Sequence, residues 1–287
     1  MSAPNKWNRS MTVVLLPALT YLAVLFIGPF LYGLYLSFTN ANGAFTLANY
    51  LRFFTDQWEY RTIGVTLWIS LPVTILNVVL AIPFAYYMRH GVQGEKLITF
   101  FLIVPITLGT VLIADGMLSY MGPNGWLNQL LMALHIVKTP FQFTHNYLGV
   151  IISLFISGFP FAFLMLLGYI SGINPDLEKA AQMLGANKVQ IFWKILFPLL
   201  APGIAIAFCL NFVMAFSVYP SAVLLGQPSG PTRVIAIAAY EWSFEKFDFN
   251  MGTTISMVMA AIELIIIMLV LFWRQRIYKG ASIVGKG

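Results

Sequence analysis

The chain has 287 residues, of which 59% are hydrophobic and 9% are charged. A soluble globular domain carries about 25% charged residues, so the composition excludes a water-soluble fold and predicts a protein surrounded by lipid. The net charge of +6 does not indicate nucleic-acid binding, because the basic residues stand between apolar runs, and the single Cys209 excludes a disulfide framework.

Six apolar runs are long enough to cross a bilayer, which takes about 20 mostly apolar residues. The first run is longer than needed, and Gly28-Pro29 predicts a bend or break in it. Its length and the lack of a small-residue cleavage site exclude a cleaved signal peptide. We predict an all-α integral membrane protein that forms one membrane domain over residues 1–287. The predicted spans are residues 11–38, 62–88, 97–121, 148–171, 199–225 and 252–273.

The distribution of lysine and arginine predicts the orientation. With the N-terminus inside, eleven of the 16 basic residues fall on the cytoplasmic side, as the positive-inside rule favours. Both termini and the polar segment between the fourth and fifth spans are then cytoplasmic. The outer loops, near 39–61, 122–147 and 227–251, contain aromatic residues, Pro and Gly, which suits short surface helices and turns.

Residues 174–203 begin as a polar, helix-forming insert in this apolar chain. Asn174 is a favourable N-cap, Pro175 suits the first helical position, and Gly185 is a natural C-terminal stop. One apolar face is built by residues at i, i+3, i+4 and i+7. These are Leu177, Ala180, Ala181 and Leu184. Such a narrow face permits a partner surface to approach closely.

A second short helix follows the glycine. Asn187 predicts its N-cap, residues 188–196 its length and Pro198 its end. The alternative for the whole insert is an interfacial helix that lies on the lipid headgroups. Such helices carry polar faces rich in Lys and Arg, whereas the first helix here has Asp176 and Glu178 with only Lys179.

The insert resembles the cytoplasmic EAA loop of permease subunits in binding-protein-dependent ABC importers. That family's pattern is E-A-A, three residues, G, nine residues, I, one residue, then L-P. The matching positions are Ala180, Ala181, Gly185, Ile195 and Pro198. Lys179 stands where the family has glutamate, and Phe197 replaces the leucine. Either Lys179 reverses the charge of one contact, or Glu178 supplies the carboxylate from a neighbouring angle.

The resemblance implies a type I ABC importer architecture, with a coupling (EAA) helix between the fourth and fifth spans, in a loop at about 172–198. In that family the helix docks in a cleft of the ATPase subunit. The residues that the resemblance assigns to ATPase coupling are Leu177, Glu178, Lys179, Ala180, Ala181, Leu184, Gly185 and Ala186. The implied partners are two subunits that bind ATP and Mg, a second permease in a heterodimer, and an external solute-binding protein. The implied location is the bacterial inner membrane.

The sequence contains no convincing catalytic motif. Residues 280–286 fit GxxxxGK, but a phosphate-binding loop needs a Ser or Thr next, and Gly287 follows. The sequence has no HExxH motif and no paired-carboxylate site. His90 lies at a cytoplasmic span end, and His135 and His145, in an outer loop, are interpreted as solvated rather than metal-bound. We therefore predict no catalytic or metal site, and ATP hydrolysis in a separate subunit.

Polar residues inside the predicted spans are candidates for a substrate pathway. Asp115 and Glu263 are costly there, by about 2.5–3.5 kcal/mol for Asp at a helix centre. They favour a pathway for a cationic solute, or else a buried hydrogen bond between helices or protonation of the carboxylate. Asn77 and Asn211 allow the same two interpretations. Tyr219 lies beside Pro220, which is predicted to break the fifth span and expose backbone groups to a cavity.

Three further segments resemble spermidine/putrescine-type permeases. They are FLIVPITLG at 101–109, GPNGWLNQLL at 122–131 and FNMGTTIS at 249–256. This branch also contains permeases for ferric iron, thiamine, phosphonates and opines, so a polyamine is the first expectation among several. Two other classes stay open: a secondary transporter driven by an ion gradient through Asp115 and Glu263, and a membrane scaffold without a transport role.

Overall fold

The computed structural model describes residues 16–17 and 20–278, with side chains up to residue 276. In this part of the chain the secondary structure is helical, apart from one isolated bridge between Thr39 and Phe45. The helices are α1 (Thr20–Ser37), α2 (Ala48–Thr55), α3 (Gln57–Met88), α4 (Glu95–Met121), α5 (Trp126–Ala133), α6 (Tyr147–Ser171), α7 (Asp176–Met183), α8 (Lys188–Phe216), α9 (Pro220–Leu225), α10 (Ile235–Tyr240) and α11 (Phe249–Tyr278).

Among the described residues, six helical segments are long and apolar enough to cross a membrane. They are α1, α3, α4 with its continuation α5, α6, α8 and α11. The prediction of a six-span, all-α membrane protein is therefore confirmed. Residues 11–15, 18 and 19 of the first predicted span lie outside the described residues.

The fifth span differs most from its prediction of 199–225. It begins at Lys188 and ends at Phe216, so the predicted second short helix is the start of this span. Pro198 was wrongly predicted to end that helix. A π turn over Phe192–Leu196, closed by the Phe197 N–H on the Phe192 carbonyl, comes directly before it. Pro198 then falls in the first turn of the following α-helical stretch, where the change in hydrogen-bond register accommodates its ring and its missing N–H within one continuous helix.

The same device occurs in the first span. A π turn over Ala23–Ile27 precedes Gly28, and Pro29 again falls in the first turn of the next α-helical stretch. The helix does not break at Gly28-Pro29, because the change in hydrogen-bond register accommodates the proline ring.

Pro220 does not lie inside the fifth span. It is in the first turn of the separate helix α9, where proline is well tolerated. The span ends at Phe216, and Ser217 caps it with an N–H bond to the Val213 carbonyl at 3.0 Å. The helix is therefore interrupted before Pro220, as predicted, but the interruption lies between two separate helices and not inside one span.

By its contacts the chain divides into two compact units. The smaller comprises the chain up to Tyr60 together with Ala238–Val258, and the larger comprises Arg61–Ile237 together with the chain from Met259. In the smaller unit, Asn250 Nδ2 donates to the Leu36 and Thr39 carbonyls at 3.0 and 2.9 Å. This side chain ties the start of α11 to the end of α1.

The larger unit has a core built around α3, α6 and α8. Small side chains let helices approach closely in a membrane, where lipid removes the hydrophobic driving force between them. The buried alanines of this core include Ala81, Ala85, Ala162 and Ala207, packed with Phe163, Leu166, Ile170 and Leu200. A connected cluster, Ala181, Ile191 and Leu196, extends the packing to α7.

Candidate functional site

The insert between the fourth and fifth spans folds as two helices that meet at a glycine. The Asp176 N–H donates to Asn174 Oδ1 at 2.9 Å, so Asn174 stabilises the start of α7, which begins one residue later than predicted. At the other end, the Ala186 N–H donates to the Ala181 carbonyl at 3.0 Å. Gly185 there has φ of 81°, the left-handed conformation that favours glycine after a helix. The predicted glycine corner is confirmed.

Asn187 caps the next helix through a capping box. Its Oδ1 accepts from the Gln190 N–H at 2.8 Å, and Gln190 Oε1 accepts from the Asn187 N–H at 3.0 Å. Both ends of the connection are therefore fixed by short-range hydrogen bonds.

The predicted apolar face of α7 does not point in one direction. Ala181 is buried in the protein, but Leu177 and Leu184 are 44% and 89% exposed. Leu184 follows the last helical residue, so helical periodicity does not set its direction. Met183, which the periodicity missed, is 90% exposed. Met183, Leu184 and Gly185 form an exposed corner.

Glu178 turns inward. Its Oε1 accepts from Arg89 Nη1 at 2.7 Å, and the two side chains are only 9% and 7% exposed. The Tyr86 hydroxyl donates to Glu178 Oε2 at 3.3 Å, and Arg89 Nη2 donates to the Ile173 carbonyl at 2.6 Å. The carboxylate is committed within the protein, so in this structure it does not present itself to a partner.

Lys179 lies on the outer side of α7. Its Nζ is 3.0 Å from Asp176 Oδ1, and both side chains are 71% exposed. Pairs of this kind are worth at most about 1 kcal/mol because water screens them. The ion pair therefore contributes little to holding Lys179 in one position. Ala180 is also exposed, and Ala186 is half-buried.

Of the pathway candidates, the structure brings Asn77 and Asn211 together. Asn77 Nδ2 donates to Asn211 Oδ1 at 2.9 Å, and Asn211 Nδ2 donates to the Gly158 carbonyl at 2.8 Å. Both asparagines are buried. A Cβ on Gly158 would lie 2.3 Å from Asn77 Nδ2, so this glycine permits the contact. The arrangement links α3, α6 and α8, as polar side chains do between membrane helices.

The remaining candidates lie on other elements. Asp115 is exposed on α4, beyond a kink at Gly109, whose φ is 76°. Glu263 on α11 is half-buried, and its Oε1 is buried without a hydrogen-bond partner. Tyr219 is half-buried before α9. The GxxxxGK match at 280–286 lies outside the described residues, and among those described no three His, Cys, Asp or Glu side chains group as metal ligands.

Sequence reasoning missed the role of Arg89. In the sequence it is one of the eleven basic residues that the positive-inside rule places on the cytoplasmic side, and its partner lies 89 positions away. One indication was available: a carboxylate beside the small residues of a predicted packing face needs a buried cation or an outward orientation.

Residues 44–280 match the family described as "Binding-protein-dependent transport system inner membrane component". The chain belongs to this family. The inferred resemblance to permeases of binding-protein-dependent ABC importers is confirmed, and the family's members are transport components rather than catalytic subunits. The six apolar spans place this member in the membrane as a multi-pass protein.

Relatives in this family carry different solute names. The spermidine/putrescine transport system permease protein PotB of Escherichia coli (strain K12) is 28% identical over 80% of this chain and 82% of its own length. The putative ferric transport system permease protein FbpB 1 of Haemophilus influenzae is 27% identical over 78% of this chain, which spans only 35% of that relative. A probable sulfate transport system permease protein, cysT of Prototheca wickerhamii, is 26% identical over 72% of this chain and 80% of its own length.

Solved structures share the fold of this family member. A bacterial alginate ABC transporter, solved in complex with an alginate pentasaccharide-bound periplasmic protein, has a chain that matches with a TM-score of 0.81 and 21% identity, over 96% of both chains. The MetNI methionine ABC transporter in an inward-facing conformation matches with a TM-score of 0.53 and 16% identity, over 77% of this chain and 94% of its own. The fold is therefore that of type I ABC importer permeases.

Proposed function

We propose that the whole chain acts as one permease domain and forms half of the translocation pathway of an ATP-driven importer. Its partners are two ATP-binding subunits, which hold ATP and Mg, a second permease and an external solute-binding protein. Family membership supports the general assignment. The excess of basic residues on one side supports an orientation with both termini in the cytoplasm of a bacterium.

One observation carries the proposed contact with the ATPase. The exposed corner places two large apolar side chains almost wholly in solvent, at 90% and 89% exposure, on a loop whose backbone is fixed at both ends. Exposed apolar groups on a rigid, polar element are typical of a protein–protein contact. The contact residues that we propose are Leu177, Lys179, Ala180, Met183, Leu184, Gly185 and Ala186. Glu178 and Ala181 support this surface from inside.

The test is the substitution Leu184→Asp in the full transporter, purified through a tag on this chain. We expect the ATPase subunits to be lost from the purified complex, because an aspartate desolvated in an apolar cleft is unfavourable. The permease itself should remain folded, since Leu184 is 89% exposed.

A matched control is Leu134→Asp. Leu134 is also the residue after a short helix, is 60% exposed, and precedes His135 with φ of 55°. It lies in a predicted outer loop, so the ATPase should be retained. Retention of the ATPase with Leu184→Asp, or equal loss with both variants, would contradict the proposed contact.

The solute that we propose is a polyamine. The similarity to PotB over most of both chains supports this choice, and relatives named for ferric and sulfate transport have nearly the same identity. Calorimetry on the partner binding protein decides it. Tight binding of spermidine or putrescine is expected, and binding of ferric iron, thiamine, a phosphonate or an opine instead would replace the polyamine in this proposal.

A further inference from the structure

The buried ion pair joins the insert to the end of the second span. Arg89 directly follows α3, and its N–H continues the helix by donating to the Ala85 carbonyl at 3.0 Å. Its guanidinium donates to Glu178 on α7 at 2.7 Å and to the Ile173 carbonyl, just before the insert, at 2.6 Å. The guanidinium of Arg89 thus contacts α7 itself, through Glu178, and the backbone just before α7, at Ile173.

We propose that Arg89 and Glu178 are positioning residues that make α7 move together with α3. This inference rests on the proposed contact between α7 and the ATPase. When the ATPase displaces α7, the ion pair transfers the displacement to the cytoplasmic end of α3, in addition to the direct covalent path through α8.

Burial makes this pair selective for one geometry. Side chains that are 7% and 9% exposed have given up most of their hydration, so the pair is stable only when the remaining lone pairs and protons are also bonded. Here the Tyr86 hydroxyl donates to the second carboxylate oxygen and the Ile173 carbonyl accepts from the guanidinium, and His90 Nε2 lies 4.0 Å from Glu178 Oε2. A tilt of α7 relative to α3 breaks several charge-assisted hydrogen bonds at once. In an exposed pair, hydrogen bonds to water would replace the bonds that are lost.

The rest of the inner face of α7 is too small to fix its angle. It contributes Ala181, whose methyl group packs near Ile191 and Leu196 of α8. On α3, Tyr86 also contacts the π turn of α8, with its ring edge-on to Phe192 at a centroid distance of 5.9 Å. Tyr86 and Arg89 therefore connect α3 to both helices of the insert, and the ion pair decides how α7 is held.

The test measures whether α7 and α3 move together when ATP binds. Cysteines replace Gln182 on α7 and Tyr87 on α3, which are both exposed and lie outside the proposed contact, in a Cys209→Ser background. Spin labels on these cysteines report their separation in the purified complex, without nucleotide and after trapping with ATP and vanadate. We expect one narrow distance distribution with the same mean in both states.

In Arg89→Gln and in Glu178→Gln, we expect a shift of this distance on trapping with ATP and vanadate. The swapped pair Arg89→Glu with Glu178→Arg is expected to suppress that shift again. A role in stability alone would lower the yield or the melting temperature but would create no ATP-dependent shift. Should the single variants fail to fold, the swap and the conservative Arg89→Lys, which loses the two-pronged geometry, supply the same comparison.

Asp176→Asn is the matched control, because it removes an exposed carboxylate from the same helix; its distance should stay constant. An unchanged distance in the Arg89 and Glu178 variants, with the ATPase still bound and hydrolysing ATP, overturns the positioning role and leaves the proposed function intact. Absence of any ATPase from the wild-type complex overturns the proposed function instead, and with it the coupling role of this pair.

Discussion

The two sides of α7 carry the same kinds of residue in opposite environments. Each side has one acidic and basic pair: Arg89–Glu178 is buried and bonded on several sides, and Lys179–Asp176 is exposed. Each side also has apolar groups, with Ala181 buried and Met183 and Leu184 in solvent. This difference indicates that the inner side fixes the position of the helix, while the outer side is available to a partner. Substitutions on the two sides should therefore differ in what they damage.

The largest expected effect comes from the inner side. Arg89→Ala leaves the Glu178 carboxylate buried without its cation, which we expect to lower the free energy of unfolding by about 3–5 kcal/mol. Unfolding in detergent, followed by circular dichroism, measures it. Replacing both partners by apolar residues, Arg89→Met with Glu178→Leu, should cost far less. Equal losses in the two variants would show that burial of the charge is not the cause.

An intermediate effect is expected at the boundary between the two sides. Gly185→Ala has room for its methyl group, since nothing lies within 4 Å of it, but it must keep φ near 81°. The left-handed conformation costs a residue with a Cβ about 1–2 kcal/mol, and unfolding in detergent measures this cost. Gly185→Asn should cost less, because asparagine tolerates this conformation. Should alanine and asparagine be equally harmless, the corner would not be held in the left-handed conformation.

The smallest expected effect on stability comes from the outer side. Lys179→Glu places the family's glutamate at this position and removes the contact with Asp176. Since an exposed pair contributes about 0.2–1 kcal/mol, the free energy of unfolding should change by no more than that. What we expect to change is the amount of ATPase subunit that stays bound to the complex during salt washes. A loss of stability as large as that of Arg89→Ala would remove the distinction between the two sides.

Local patterns predicted much of the fold and of the insert. Apolar runs of about 20 residues report membrane spans directly, and caps such as Asn187 and Gly185 act within a few residues of themselves. The predicted start of the fifth span is wrong because the π turn before Pro198 cancels the usual effect of proline. The prediction that Leu184 shares an apolar face with Ala181 is wrong because Leu184 follows the last helical residue of α7.

Long-range contacts stayed hidden for a different reason. Arg89 and Glu178 are each ordinary in sequence, and only the packing of α3 against the insert brings them together. Asn77 and Asn211, 134 positions apart, were recognised as polar groups in spans, with bonding between helices as one interpretation. That they bond to each other depends on the close approach at Gly158.

The π turn over Phe192–Leu196 also sets the rotational phase of the fifth span. A π turn holds one residue more than an α-helical turn would, and each residue turns an α-helix by about 100°. If the same residues formed a regular α-helix without the π turn, everything downstream, including Asn211, would be rotated by about that angle relative to Lys188 and the insert. The π turn therefore orients the Asn211 amide toward Asn77 without changing the orientation of the insert. One continuous helix thus carries two surfaces that are oriented separately.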